Sequence, residues 1–84
     1  MKKRLVLRSE TLALKFKEEY LKLKKRDNDY IISLRYISEL YIFEGISVSL
    51  RTCRKIAKFV PVYIIDARGR IVARLCRETR DEET

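Results

Sequence analysis

The stretch Ser47–Phe59 has the residue spacing of an amphipathic helix, and it constrains the fold of this chain more than any other segment. Its apolar residues recur every three or four positions, which places on one helix face Leu50, Cys53, Ile56 and Ala57. The opposite face carries only positive charge, from Arg51, Arg54, Lys55 and Lys58. Ser47 or Ser49 can cap the first turn, because a serine oxygen accepts hydrogen bonds from its unpaired N–H groups. We therefore predict a helix with one buried and one cationic face.

The composition fits a small, basic, globular domain. The chain has 84 residues, enough for a single domain over residues 1–84, and its 20 Lys and Arg against 12 Asp and Glu give a net charge of +8. This charge favours a polyanionic partner, which is most often nucleic acid. Glutamine is absent and asparagine occurs once, at Asn28, while charged residues are abundant. That pattern is typical of proteins from thermophiles.

The N-terminus does not look like a targeting signal. The segment Met1–Arg8 is basic but holds only three apolar residues after its start, too few for a signal peptide. No apolar run has the length of a membrane span. We therefore expect a cytoplasmic, nucleoid-associated protein without a membrane partner. Residues 1–8 are expected to form an arm or a strand, and residues 78–84 a polar tail.

Two further helices are predicted before the cationic one. The first spans roughly Ser9–Arg26, and its apolar stripe is Leu12, Phe16, Tyr20 and Leu23. Leu14 and Leu21 lie off this stripe, and the cations at its C-terminal end suit the helix dipole. The second spans about Leu34–Phe43 after a capping Ser33, and its inward residues are Leu34, Ile37, Leu40 and Tyr41.

A β-hairpin is predicted after the cationic helix, which must end before Pro61. The run Val62–Ile65 is β-branched and aromatic, as is usual in strands. The turn Asp66–Arg70 contains Gly69, which can supply a positive φ, and the strand Ile71–Cys76 returns from it. Two arginines, Arg68 and Arg70, lie at the tip.

This order of elements resembles the winged helix-turn-helix family of DNA-binding domains. The resemblance runs from about Ser9 to Arg77 and is clearest at residues 37–40 (Ile-Ser-Glu-Leu) and 45–47 (Gly-Ile-Ser). It implies an α+β, mainly helical fold, in which three helices precede a C-terminal β-hairpin wing. In that family the helix after the turn enters the major groove, and the wing touches the DNA backbone or the minor groove.

The resemblance implies a sequence-specific double-stranded DNA-binding protein, a transcription regulator like those of thermophilic archaea and their viruses. The residues that it places on DNA are Ser49, Arg51, Thr52, Arg54, Lys55, Lys58, Arg68 and Arg70. We also expect a homodimer, with the first helix and the N-terminal arm at the contact. The segment Ile65–Val72 is similar to the hairpin of swapped-hairpin transition-state regulators, which are also DNA-binding dimers.

Other classes of function have less support in the sequence. The chain has no His and no Gly-rich phosphate loop, so we expect neither an enzyme nor a metal site, a cofactor or a small-molecule effector. A disulfide between Cys53 and Cys76 stays open. Two alternatives to DNA binding also stay open. One is an assembly module whose cationic face meets an acidic protein, and the other is an RNA-binding protein.

Overall fold

A computed structural model describes residues 2–76, and these residues are mostly β-sheet. The strands are β1 Lys3–Leu7, β2 Thr11–Lys17, β3 Tyr20–Lys25, β4 Asp29–Ser33, β5 Ile37–Phe43, β6 Val62–Ile65 and β7 Ile71–Leu75. The helix α1 spans Leu50–Ala57, and a 3-10 turn spans Leu34–Tyr36. The prediction of a mainly helical winged helix-turn-helix is therefore wrong. The predicted polar tail lies outside the described residues.

The first sheet has the strand order β1-β5-β6-β7. Strand β5 pairs in parallel with β1 and β6, and β7 returns antiparallel to β6. Because β5 is paired on both edges, its inward residues Leu40 and Ile42 are buried at the centre of the fold. Helix α1 is the connection between β5 and β6, since two parallel strands need a crossover rather than a tight turn.

The second sheet is the antiparallel meander β2-β3-β4. Its inward face carries Leu14 opposite Leu23 and Phe16 opposite Leu21. The chain before α1 is bonded to the edge of β2, because the N–H of Leu14 donates to the carbonyl of Ser47 at 3.0 Å. The apolar faces of the two sheets and of α1 enclose one core.

The predicted helix over residues 9–26 is instead the hairpin of β2 and β3. Leu14 and Leu21, which lie off the helical stripe, are 3% and 0% exposed. Leu12 and Tyr20, which lie on the helical stripe, are 42% and 50% exposed. The apolar residues of this segment fit both a helical period of 3.6 and a strand period of two. The strand forms because β3 pairs with β4 and the core buries the apolar face of the resulting sheet.

The turn of this hairpin lacks the residues by which a hairpin is usually predicted from sequence. The turn is Glu18-Glu19, without the Gly, Asn or Asp that usually marks a two-residue hairpin loop. Glu18 has a φ of 60°, the one positive φ among the non-glycine residues of the described chain. A side chain in that backbone region costs about 1–2 kcal/mol.

Glycine at position 18 is expected to stabilise the protein. It relieves the positive φ, so Glu18→Gly should raise the free energy of unfolding by about 0.5–1 kcal/mol, as measured by chemical denaturation. The matched control is Glu19→Gly, which removes the same charge where φ is not positive. It should lower the free energy of unfolding by a similar amount. Equal effects of the two variants would contradict the turn geometry.

The predicted helix over Leu34–Phe43 is a 3-10 turn followed by β5. Ser33 does begin a turn, because its Oγ accepts from the N–H of Arg35 at 3.3 Å. The turn does not lengthen into an α-helix, because the next seven residues pair with β1 and β6. Those residues are rich in isoleucine and aromatic side chains, which favour strands.

The local predictions for the N-terminal segment and for the hairpin are confirmed in part. Residues 3–7 form a strand, one of the two states expected for the N-terminal segment. The predicted hairpin is β6 and β7, and Gly69 in its turn has a φ of +85°. The hairpin belongs to the first sheet and is not a wing on a helical body. Cys53 and Cys76 are both free thiols, so the disulfide is absent.

Candidate nucleic-acid interface

Helix α1 shows the two predicted faces, although it is shorter than predicted. Ser49 caps it, since its Oγ accepts from the N–H of Thr52 at 3.0 Å. Cys53, Ile56 and Ala57 are buried, and burial raises the pKa of the Cys53 thiol. Leu50 is the exception on the predicted apolar face, being 56% exposed at the first turn. The helix is therefore fixed to the core by its last two turns.

The cationic face of α1 is directed to solvent. All four of its cations are exposed, and none forms an ion pair with another residue in the range 2–76. Arg51 and Lys55 lie four residues apart, as do Arg54 and Lys58, so like charges are neighbours along the helix. Such pairs destabilise an isolated helix by about 0.2–0.5 kcal/mol each. An external anion would relieve this repulsion.

The two hydroxyl residues of the predicted site serve the helix itself. Ser49 Oγ lies 2.9 Å from Thr52 Oγ1, in addition to its bond with the Thr52 N–H. Both side chains lie at the N-terminal turn of α1, beside Arg51. Their first role is therefore capping.

The two arginines of the hairpin tip differ in their surroundings. Asp66 accepts from the N–H groups of Arg70 and Arg68 at 2.9 Å each, and from Arg70 Nε at 3.0 Å. The bond from the Arg70 N–H is the largest of the effects that hold the pKa of Asp66 below its ordinary value, against desolvation. The ionised Asp66 offsets the charge of Arg70, whereas Arg68 is exposed and has no ion pair within the described chain.

The hairpin tip lies at the end of the first sheet where β5 ends. Strands β5 and β6 are parallel, so the chain leaves both of them at one end of the sheet. Glu44, just after β5, also accepts from the N–H of Ala67 through Oε1 at 2.8 Å, which holds the tip there. Arg68 therefore lies at the end of the first sheet from which the chain continues toward α1, while Lys58 lies at the C-terminal end of the helix.

The outer face of the first sheet has cations that are already engaged. Tyr41 and Tyr63 stack across β5 and β6, with ring centroids 4.7 Å apart. Arg4 lies 5.4 Å from the Tyr41 ring and donates to Glu39 at 3.0 Å, and Arg74 lies 5.7 Å from the Tyr63 ring. In this row across four strands, Glu39 and the aromatic rings already engage the positive charges, so the row is not a strong candidate for binding an anion.

The outer face of the second sheet has cations that sequence reasoning missed as a group. They are Lys15 and Lys17 on β2, and Lys22 and Lys24 on β3. In a helix Lys15 and Lys22 would lie on one face, and Lys17 and Lys24 would lie on the opposite face, so the four would not form one surface. The lysines near residue 24 also suited a helix dipole. The alternation of Leu and Lys in residues 21–24 is the signal that could have revealed a cationic sheet face.

Residues 2–76 contain neither a metal-binding cluster nor a membrane-spanning helix. This part of the chain has no group of three or more His, Cys, Asp or Glu residues placed to hold a metal ion. It also has no helix with the length and apolarity needed to cross a membrane.

The chain shares its fold with parts of chains in solved structures that contain Cas1. It matches a chain of a partial Cas6-RT-Cas1–Cas2 complex with 22% identity and a TM-score of 0.74, covering 90% of this chain and 24% of that one. It matches a Cas1 protein from Thermotoga maritima with 14% identity and a TM-score of 0.70, over 90% of this chain and 25% of that one. For a TtCas1–DNA complex the values are 12% and 0.69, over 90% and 29%.

These matches overturn the winged helix-turn-helix assignment and the reading as a transcription regulator. No protein-family description matches the sequence, and no curated protein matches it either. The chain spans about a quarter of the length of these three chains that it matches. It has the β-rich fold of that quarter.

Proposed function

We propose that this chain is a DNA-contacting domain of a Cas1-type protein, and that the cationic face of α1 binds the phosphate backbone of duplex DNA. The observation that carries the proposal is the set of four exposed cations on one short helix, none of them paired within residues 2–76. The shared fold with a Cas1 protein that is in complex with DNA supports it.

The contact is expected to depend on phosphates rather than on base sequence. Helix α1 has eight residues and is therefore about 12 Å long. Its outward residues are long cations, while the hydroxyls of Ser49 and Thr52 are engaged in capping. Arginine and lysine contacts to phosphate fix the position of a protein on the duplex without reading its sequence. Arg68 extends this surface at the hairpin tip, and Arg70 contributes less because Asp66 pairs with it.

A protein-binding role is the second candidate, and strand β7 favours it. This strand forms an edge of the first sheet, and Ile71 and Val72 on it are exposed although they are apolar. An edge strand with exposed apolar side chains is a surface on which another chain can pair. The homodimer stays a prediction, and β7 is the surface that would carry it.

Removal of two cations from α1 tests the proposed function. We expect Arg51→Ala/Arg54→Ala to weaken binding to a duplex about 10- to 60-fold at 0.1 M salt, because two fewer phosphates are neutralised. Alanine favours helix and removes like charges, so the variant should unfold at the same temperature or higher. Fluorescence anisotropy with a labelled duplex measures the affinity.

The control for this experiment is Lys2→Ala/Lys3→Ala, which removes the same charge from exposed residues at the start of β1. Its affinity should stay within about twofold of the wild-type value. Unchanged binding by the α1 variant would overturn the proposed function. Competition with a structured RNA in the same assay distinguishes DNA binding from the RNA-binding alternative, and preference for the RNA would also overturn the proposal.

A further inference from the structure

The outer face of the β2-β3-β4 sheet, here called the lysine face, is a second concentration of exposed positive charge. It is formed by Lys15, Lys17, Lys22 and Lys24, which are all exposed. These residues alternate with Phe16, Leu21 and Leu23, whose side chains point toward the core. Because side chains alternate between the two faces of a strand, every lysine of β2 and β3 except Lys25 lies on the outer face of the sheet.

The register of the hairpin brings like charges directly together. Lys15 is the cross-strand partner of Lys22, and Lys24 is two residues farther along β3. Facing residues of an antiparallel pair have Cβ atoms only about 4.5–5.5 Å apart, and like charges in that position are destabilising. The fold retains this unfavourable pair at a position where any β-branched residue would favour the strand more.

Acidic residues do little to neutralise the lysine face. Lys22 Nζ lies 3.6 Å from Asp29 Oδ2, and both side chains are about half exposed, so this ion pair is weak. The other three lysines form no ion pair within the described residues, and none of the four lies over an aromatic ring there. The arginines on the outer face of the first sheet differ, since rings and Glu39 engage them.

The spacing of the lysines suits a polyanion with regularly spaced charges. Residues i and i+2 of a strand are about 6.7 Å apart, so each strand presents two cations at this interval. Lys15 faces Lys22 across the two strands, while Lys17 and Lys24 lie on opposite sides of this pair, so the four lysines form a staggered row on a rigid sheet. Successive phosphates of a nucleic-acid backbone present negative charge at a similar interval, and lysine contacts to them carry no base preference.

We propose that the lysine face is a second binding surface for the phosphate backbone of duplex DNA, separate from α1. This inference rests on the proposed function, because it assumes that DNA is the partner of this domain. The surface binds DNA of any sequence, and it lies on a different sheet from the one that α1 connects. DNA held at both surfaces contacts the domain over more than one side.

Substitution of the facing lysines by threonine tests this inference. We expect Lys15→Thr/Lys22→Thr to weaken duplex binding about 10- to 60-fold at 0.1 M salt, as expected for two lost phosphate contacts. Threonine favours strands, and facing threonines form a favourable pair, so the melting temperature should stay the same or rise. The control is Lys2→Thr/Lys3→Thr, which has the same charge change and should bind within about twofold of wild type.

The outcomes separate this inference from the proposed function. Loss of binding in the lysine-face variant and in the α1 variant supports both. Loss of binding in the α1 variant alone overturns the inference about the lysine face and leaves the proposed function intact. Loss of binding in the lysine-face variant alone overturns the proposed role of α1 and leaves the inference intact. If Lys15→Thr/Lys22→Thr does not fold, Lys17→Thr/Lys24→Thr removes two charges from the same face without altering the facing pair. Wild-type binding by that variant would overturn the inference.

Discussion

Replacement of Leu21 by alanine is expected to lower the free energy of unfolding by about 3 kcal/mol, within the 2–5 kcal/mol range of buried leucines. Leu21 is fully buried in β3, where it faces Phe16 and packs into the core. The substitution removes apolar surface from the core and leaves a cavity that rigid strands cannot close. For a domain of this size, a loss of 3 kcal/mol is a large part of the total stability.

The matched variant Leu12→Ala is expected to change the free energy of unfolding by no more than about 0.5 kcal/mol. Leu12 is 42% exposed, although it belongs to the same hairpin. A helix over residues 9–26 would reverse this order, because Leu12 would be on its buried stripe and Leu21 would not. Urea denaturation of both variants checks the order. A larger loss for Leu12→Ala than for Leu21→Ala would contradict the β-meander.

The segments that sequence reasoning placed correctly have strong local signals. Helix α1 has a capping Ser49 and an apolar face with spacings of three and four. The β6-β7 hairpin has Pro61 before it, β-branched strands, and Gly69 with a positive φ in its turn. Because these signals depend on neighbouring residues alone, they can be found without knowledge of the rest of the fold.

The segments that sequence reasoning misplaced depend on distant partners. Strand β5 pairs with β1, about 35 residues earlier, and with β6, about 20 residues later. Parallel pairing of this kind cannot be predicted from the residues next to β5. The β2-β3 turn at Glu18 uses a residue that seldom adopts a positive φ. Without a recognisable turn, the spacing of Leu12, Phe16 and Tyr20 fits one face of a helix. The alternation in the same segment fits a strand equally well.

The residues of the candidate site also differ in whether local sequence could predict them. The cations of α1 could be predicted because a helix face follows from local spacing. The lysine face as a whole could not, because the alternation of Leu and Lys in residues 21–24 indicates only its β3 part. The β2 part requires the register that sets Lys15 opposite Lys22. The pairing of Arg70 with Asp66 was also missed, although an acidic residue four positions away was visible in the sequence.

The affinity for duplex DNA is expected to fall about 10⁴-fold between 50 and 200 mM salt. The cations of α1 and of the lysine face can neutralise eight phosphates, four at each surface. Each neutralised phosphate of a duplex contributes about −0.9 to the slope of the logarithm of the association constant against the logarithm of salt concentration, because bound counterions are released. Eight contacts therefore predict a slope of about −7.

The slope also counts the contacts at each surface. The variants Arg51→Ala/Arg54→Ala and Lys15→Thr/Lys22→Thr should each reduce its magnitude by about 2, whereas the controls at Lys2 and Lys3 should not change it. If α1 alone binds DNA, the wild-type slope should be about −3.6. The lysine-face variant would then keep that slope.

The salt dependence of duplex binding by the wild-type chain tests most directly the claim that this domain holds DNA by its phosphates. Anisotropy titrations at a series of NaCl concentrations between 50 and 200 mM give the slope in one experiment. A slope near −7, reduced by each surface variant, is the predicted result. A slope near zero, or no binding at 50 mM salt, would contradict the account.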